Sequence, residues 1–217
     1  MSKKEDQIIL MADIVNSGSS DSKNTMETFK EIVGNTNAVF IKSIDSPLTI
    51  TLGDEFQGVV NNIANAIKII CCIEEYIVKN NIKFKLRYVV NEGIIDTEIN
   101  PIRSYEMLGK GLTEARKLLN ELKKSKSRFF IHLNLEAKKE LLNESFLVYQ
   151  NIIDNWNIEK DHDLLAKFID LEDYKKVSLA VNKDKSQIWK RNKNLNIDSF
   201  FAIKRVLLLT TNLRLRK

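Results

Sequence analysis

Cysteine, proline, glycine and histidine are all scarce in this chain, and each scarcity removes a class of answers. The two cysteines are adjacent, Cys71-Cys72. They cannot build a disulfide framework and lack the spacing of a metal-binding knuckle. Two prolines and seven glycines exclude collagen-like and linker-type composition. Only His132 and His162 are available as histidines, so no Ser/His/Asp or Cys/His constellation can be assembled. No stretch approaches the roughly 18 uninterrupted apolar residues of a membrane span. Residues 1–6 run straight into a strand-like segment without a signal-peptide core. The expectation is a soluble, reduced, cytoplasmic protein with no membrane partner. What is present, 43% hydrophobic and 29% charged residues over 217 positions, suffices for a buried core in one or two domains.

Charge is distributed unevenly. The formal net charge is +5, yet residues 1–150 carry 20 basic and 20 acidic residues. Residues 151–173 carry 2 basic and 7 acidic ones, and residues 174–217 carry 12 basic and 2 acidic ones. A neutral body therefore bears a short basic module, which suggests an anionic partner for that end or, more simply, a solvated helical face.

Hydrophobic periodicity predicts the elements. Gln7 to Val15 is an unbroken apolar run typical of a buried central strand. A Ser/Asn/Asp/Gly loop follows, then a helix from Thr25 to about Lys42. Ser46-Pro47 reads as a break, LTITL (48–52) as a strand, Gly53-Asp54 as a turn, and Glu55 to Val60 as the returning strand. Ile63 to Ile77 has helical spacing, and Lys83 to Asn91 alternates with Phe84, Leu86, Tyr88 and Val90 on one face. This β-α-β-β-α-β order is the ferredoxin-like or palm arrangement of an α+β fold. An extra helix (about Tyr105 to Lys124) and strand (RFFIHL, 128–133) follow. A helix over 134–144 and a strand-like piece from Phe146 to Ile153 complete a first domain of residues 1–153. Residues 154–217 are expected to form a small all-α domain.

In a ferredoxin-like sheet the end of strand one meets the start of strand three, which brings Asp13 close to Asp54. Two such carboxylates repel unless a cation or proton lies between them, and Mg²⁺ or Mn²⁺ would resolve the repulsion. Glu55 offers a third carboxylate, turned by strand alternation away from Asp54's face. The structural alternative is plain: Gly-Asp is an ordinary turn pair, and Asp13 can cap the loop after strand one.

In the basic region, residues 173–191 have a helix-turn-helix rhythm. Val177 and Val181 point inward, Asn182 takes the left-handed turn position, and Ile188 anchors the second helix. Lys183, Lys185, Ser186, Gln187, Lys190 and Arg191 are then presented to duplex DNA, Ser and Gln for base edges and Lys and Arg for phosphate. A third helix from about Asp198 to Leu209 supports the pair. The alternative is a basic helical bundle docked on the first domain or on a partner protein. His132 is expected to be structural, His162 to sit in a solvated acidic helix start, the cysteines to be buried apolar groups, and Trp156 and Trp189 to be packing anchors.

Asp13-Ile14-Val15-x-Ser17, LTITLGDEFQG (48–58), LRYVVNEG (86–93) and LGKGLTEARKLL (108–119) together resemble the SatD family of bacterial proteins. That family is in turn similar to class III nucleotide cyclase domains, and many of its members end in a helix-turn-helix. The resemblance implies that Asp13 and Asp54 hold metal ions. It implies further that Ser17, Gly53, Gly109 and Arg116 bind nucleotide, that Arg116 is the candidate catalytic group, and that the site is completed in a homodimer. Gly93 matches the glycine ending the fourth strand. Ile50 stands where a purine-selecting Lys is expected, Thr113 where a transition-state Asn is expected, and Arg116 is one residue out of register. The expectation is therefore a DNA-binding regulator whose cyclase-like domain binds a metal–nucleotide ligand or dimerises. The alternative is a metal-dependent nucleotidyl cyclase or related phosphodiester-forming enzyme.

Overall fold

The computed structural model describes residues 5–16 and 22–213. Its first strand, β1 (Gln7–Ile14), is buried along nearly its whole length because both faces of the sheet are covered. Ile8, Leu10, Ala12 and Ile14 enter one core, while Ile9 and Met11 enter the other. Helix α1 (Ser22–Val39) and a short 3-10 turn, Ile41–Ser43, lead into β2 (Ile44–Ile50) and β3 (Glu55–Val60). Then come α2 (Ile63–Lys79) and β4 (Leu86–Gly93), followed by α3 (Lys110–Leu122) and β5 (Phe129–His132). The sheet order is β2-β3-β1-β4-β5. β1 runs antiparallel to both β3 and β4, and β5 is parallel to β4. This is the anticipated α+β, ferredoxin-like order with one strand added beyond β4.

Four local differences from the sequence expectation have physical causes. Ser46 and Pro47 lie inside β2 rather than breaking it. β2 is an edge strand with register shifts around this point, where a residue lacking N–H is tolerated. β4 starts at Leu86 and α3 at Lys110, both later than periodicity suggested. The α3 boundary is set by a close approach: Gly111 N donates to Ile94 O at 2.9 Å. A Cβ on Gly111 would lie 2.7 Å from the Gly93 carbonyl carbon, so the helix begins where two glycines let backbone meet backbone. Finally, the strand-like piece from Phe146 to Ile153 is the second half of one helix, α4 (Glu136–Asp154). Phe146, Tyr149, Ile152 and Ile153 are buried at helical spacing, and Phe146 stacks on Phe129 of β5 at 4.7 Å.

Helices α5 (Ile158–Leu171), α6 (Tyr174–Ala180), α7 (Lys185–Asn194) and α8 (Ile197–Asn212) follow. They share the core on the α1/α2 face of the sheet: Phe168, Val177, Ile188, Phe200 and Leu207 are continuous with Leu10 and Ile70. Trp156 Nε1 donates to Leu195 O at 2.8 Å, and Tyr149 stacks on Phe200 at 5.6 Å. The opposite face of the sheet is covered by α3 and the segment before it, through Ile95, Met107, Ala115 and Leu119. Among the described residues, no helix is long and apolar enough to cross a membrane.

Candidate functional site

The antiparallel register decides which charges meet. Asp13 on β1 faces Glu55 of β3 on one side and Arg87 of β4 on the other. Since alternate residues share a face, all three look toward α3, along with Met11 and Val59. Asp13 is 2% exposed. Both of its carboxylate oxygens accept from Arg87 Nη1, at 2.9 and 3.0 Å. Lys123, just past the end of α3, places Nζ 3.1 Å from Asp13 Oδ2. Glu55 Oε1 lies 2.8 Å from Arg116 Nη2 and accepts from Thr51 Oγ1 at 3.3 Å. Arg116 Nη2 also donates to Gln57 Oε1 at 3.4 Å. Burial pushes the Asp13 carboxyl above its usual range, and Lys123 and Arg87 only partly offset that. Arg87 keeps its buried Nε unpaired.

Asp54 sits one position out of register. Its carbonyl accepts from Ile14 N and its amide donates to Leu52 O, both at 2.9 Å. The structure thus sets Asp13 directly opposite Glu55, which the sequence argument turned away, with Asp54 one position further along beside Ile14. The signal for Glu55 was available: an antiparallel pairing that joins Asp54 to Ile14 puts residue 55 across from residue 13. Gly53 takes φ +78° in the turn, and Gly109 caps α3 without a side chain. Ser17 lies outside the described residues. Arg116 lines a cavity of about 640 Å³ between the sheet and α3, together with Met11, Gln57, Met107, Leu112 and Lys117. Thr113 borders the same space, its hydroxyl donating to Gly109 O at 3.4 Å.

Asp13, one of the two metal ligands the resemblance implies, and its neighbour Glu55 do not offer a free site to a divalent cation in this arrangement. A Mg²⁺ or Mn²⁺ ion needs carboxylate oxygens with free lone pairs. Here Asp13 already serves Arg87 and Lys123, and Glu55 serves Arg116 and Thr51. Among the described residues no group of three or more His, Cys, Asp or Glu side chains is placed to hold a metal ion. What the arrangement presents to solvent is positive: Arg116 and Lys123 are the more exposed partners, at 37% and 40% of the side chain.

The second candidate region is the α6–α7 pair. Asp173 caps α6 through the amides of Lys175 and Lys176, and Asp184 caps α7 through that of Ser186. Asn182 takes φ +49° between them, and Lys183 N closes the turn on Ser178 O at 3.0 Å. Val177 and Ile188 are buried. Ser178 is buried too, and its hydroxyl donates to Lys175 O at 2.9 Å. This leaves Lys183, Lys185, Ser186, Gln187 and Lys190 exposed. Arg191 is different, being half-buried and ion-paired with Asp161 of α5. Trp189 is 46% exposed, with Lys193 Nζ 5.9 Å from its ring centroid, and so is not a core anchor. Trp156 is one.

Periodicity gave no hint of a third charged cluster, on the other face of the sheet. Arg128 joins Glu74 of α2, Asp154 of α4 and the Leu86 carbonyl. Tyr88 donates to Glu74 at 2.9 Å, and Lys85 pairs with Asp154 at 2.9 Å. His132 Nδ1 lies 2.7 Å from Asn91 Oδ1, a structural contact. Burial pushes the Cys71 thiol up to about 12, which makes it an inert apolar group.

Solved structures similar to the chain include a bacterial light-regulated adenylyl cyclase, at 12% identity and a TM-score of 0.42. That match covers 59% of this chain and 76% of the other. The guanylate cyclase domain of Catenaria anguillulae in complex with GTP matches at 19% identity and a TM-score of 0.40, over 54% of this chain and 73% of that one. No curated protein matches the chain. The family model described as SatD family covers residues 7–208, which takes in the sheet, the charged face under α3 and the α6–α7 pair, and the chain belongs to the SatD family.

Proposed function

We propose that this chain is a DNA-binding regulatory protein of the cytoplasm. In this reading the sheet region is a sensing body that takes a phosphate-bearing ligand and pairs two copies. One observation carries the DNA part: α6 and α7 are joined through a left-handed Asn182, and the exposed side of the turn and α7 is cationic. Lys183, Lys185 and Lys190 are exposed and, among the described residues, enter none of the ion pairs of the region. Ser186 and Gln187 stand at the first turn of α7, where a recognition helix reads base edges. Arg191 must give up Asp161 before it can reach a phosphate, so it contributes less than Lys185 or Lys190. A homodimer would present two α7 helices to two half-sites about one helical turn of DNA apart.

The test is fluorescence anisotropy on a labelled duplex across a salt series. Affinity should fall linearly with log salt, and Lys185→Ala/Lys190→Ala should lower the slope by about one unit for each phosphate contact removed. No binding at low salt, or an unchanged slope in the double variant, would sink the reading. Mg²⁺- or Mn²⁺-dependent turnover of a nucleoside triphosphate, abolished by Asp54→Asn, would replace it with the nucleotidyl cyclase alternative.

A further inference from the structure

We propose that the cavity under α3 is a phosphate site that works without a divalent cation, its place taken by resident arginine and lysine side chains. The inference rests on the sensing half of the function proposed above and is independent of DNA contact.

The starting point is charge balance. Two buried carboxylates beside a phosphate would repel it, and a divalent ion is the usual way to relieve that repulsion. Here Asp13 and Glu55 are already matched by Arg87, Lys123 and Arg116, so the cluster is positive before any ligand arrives. The adjoining cavity adds Lys117 and Lys124 against a single acid, Glu121. An incoming metal would have to displace a guanidinium or ammonium from Asp13 or Glu55, breaking hydrogen bonds already made and crowding one more positive charge into a cluster that is already positive. A free phosphate meets no such barrier. Arg116, held from behind by Glu55 and Gln57, offers the planar fork suited to phosphate oxygens. Arg87 is nine-tenths buried with Nε unpaired, so Asp13 does not exhaust the donor capacity of the cluster.

The cavity also sets the ligand's other half. Met11, Met107 and Leu112 form an apolar floor under the cationic rim. A volume of about 640 Å³ is in the range of small-molecule sites. The class that fits is an organic phosphate with a flat or apolar body, such as a nucleoside di- or triphosphate, its phosphates toward Arg116, Lys117 and Lys124.

The experiment uses the full chain and follows thermal shift and calorimetry. ATP, GTP and inorganic pyrophosphate are each titrated twice, in EDTA and with excess Mg²⁺. At least one nucleotide should raise the unfolding midpoint in EDTA, with Mg²⁺ leaving its affinity unchanged or weaker. Arg116→Ala should weaken binding about ten- to a hundredfold, the equivalent of a lost charge-assisted hydrogen bond. That variant also strands Glu55. Lys117→Gln/Lys124→Gln, confined to the exposed rim, therefore provides the independent check and should weaken binding by about tenfold. A midpoint rise that requires Mg²⁺, or no rise with any probe in EDTA, overturns the proposal. Pyrophosphate binding as tightly as the nucleotides would overturn the role given to the apolar floor. A chain that takes nucleotide in EDTA but ignores DNA fails the regulator reading alone. One that binds DNA but needs Mg²⁺ for nucleotide fails this inference alone.

Discussion

Two buried arginines lie on opposite faces of the same sheet, and they are satisfied to very different degrees. Arg128 is 6% exposed and Arg87 is 9% exposed, so each would be intolerable without partners. Arg128 uses all three of its nitrogens. Nε bonds Asp154, Nη1 bonds Glu74 and the Leu86 carbonyl, and Nη2 bonds Glu74 and Asp154. It thereby ties the start of β5 to α2, β4 and α4, with every nitrogen of its guanidinium partnered. Arg87 bonds Asp13 through Nη1 and leaves Nε orphaned, beside lysine and arginine side chains that reach solvent. A saturated cluster does structural work. The guanidinium of Arg128 is fully partnered and that of Arg87 is not, which is the difference expected if the first is a staple and the second borders the phosphate site proposed above.

The comparison breaks most easily on stability. Arg128→Met strands Glu74 in the core and should lose about 3–5 kcal/mol in urea unfolding, as breaking a buried ion pair does. Arg87→Met leaves Asp13 still paired with Lys123, so the loss should be about 1.5–3 kcal/mol, the scale of a charged hydrogen bond. Equal losses would mean that Arg87 is as structural as Arg128, and the distinction would fall.

A smaller effect separates the clusters by pH. Burial pushes the Asp154 carboxyl up, but Arg128 and Lys85 outweigh it and hold the group below its usual range. Stability from Asp154 is therefore present above about pH 3.8 and is lost as pH falls through its lowered value. Asp13 runs the other way, its carboxyl held above the usual 3.8 by burial. Its ionisation costs stability, and that cost is relieved as pH falls from above its raised value toward 3.8. Urea midpoints across pH 3–7 should show Asp13→Asn removing the gain on mild acidification. Asp154→Asn should remove part of the loss below it. The same sign in both variants would contradict the assignment.

Much of the framework was legible from residues alone. β1, α2 and β4 announce themselves through periodicity, and Asn182 through its tolerance of the left-handed turn. Asp13 stood out as a carboxylate inside an apolar strand. What escaped depends on pairing between distant segments. Glu55 was turned away by alternation counted from Asp54, but the relevant count runs across the β1–β3 register. Arg87 alternates with Leu86 and Tyr88 and so looks solvent-facing, yet α3 covers that face. Arg128, Glu74 and Asp154 sit in three separate elements with no local signature. The second half of α4, FLVYQNII, is apolar enough to pass for a strand, and only its stacking on β5 and α8 shows the helical spacing to be the one used.

The finest distinction concerns two lysines at the rims of the two clusters. Lys85 and Lys123 are similarly exposed, at 44% and 40% of the side chain, and each pairs with an acid of its cluster, at 2.9 and 3.1 Å. A half-exposed lysine contributes about 0–1 kcal/mol through such a pair, and Asp154 and Asp13 keep Arg128 and Arg87 when it is removed, so Lys85→Ala and Lys123→Ala should be nearly indistinguishable in urea unfolding. They should part on ligand. Removing Lys85 changes charge on the core side of the sheet, across from the cavity, and should leave nucleotide affinity in EDTA untouched. Removing Lys123 takes a positive charge from the cluster under α3 and leaves Asp13 balanced by Arg87 alone. A unit charge about 10 Å from a phosphate in a medium of dielectric between 20 and 80 is worth roughly 0.4–1.7 kcal/mol, roughly a two- to eighteenfold loss in affinity. Calorimetry on the two variants would show whether the α3 cluster acts as a charge reservoir for the cavity. Identical nucleotide affinities would reduce it to a second staple, differing from the Arg128 cluster only in how completely its hydrogen bonds are made.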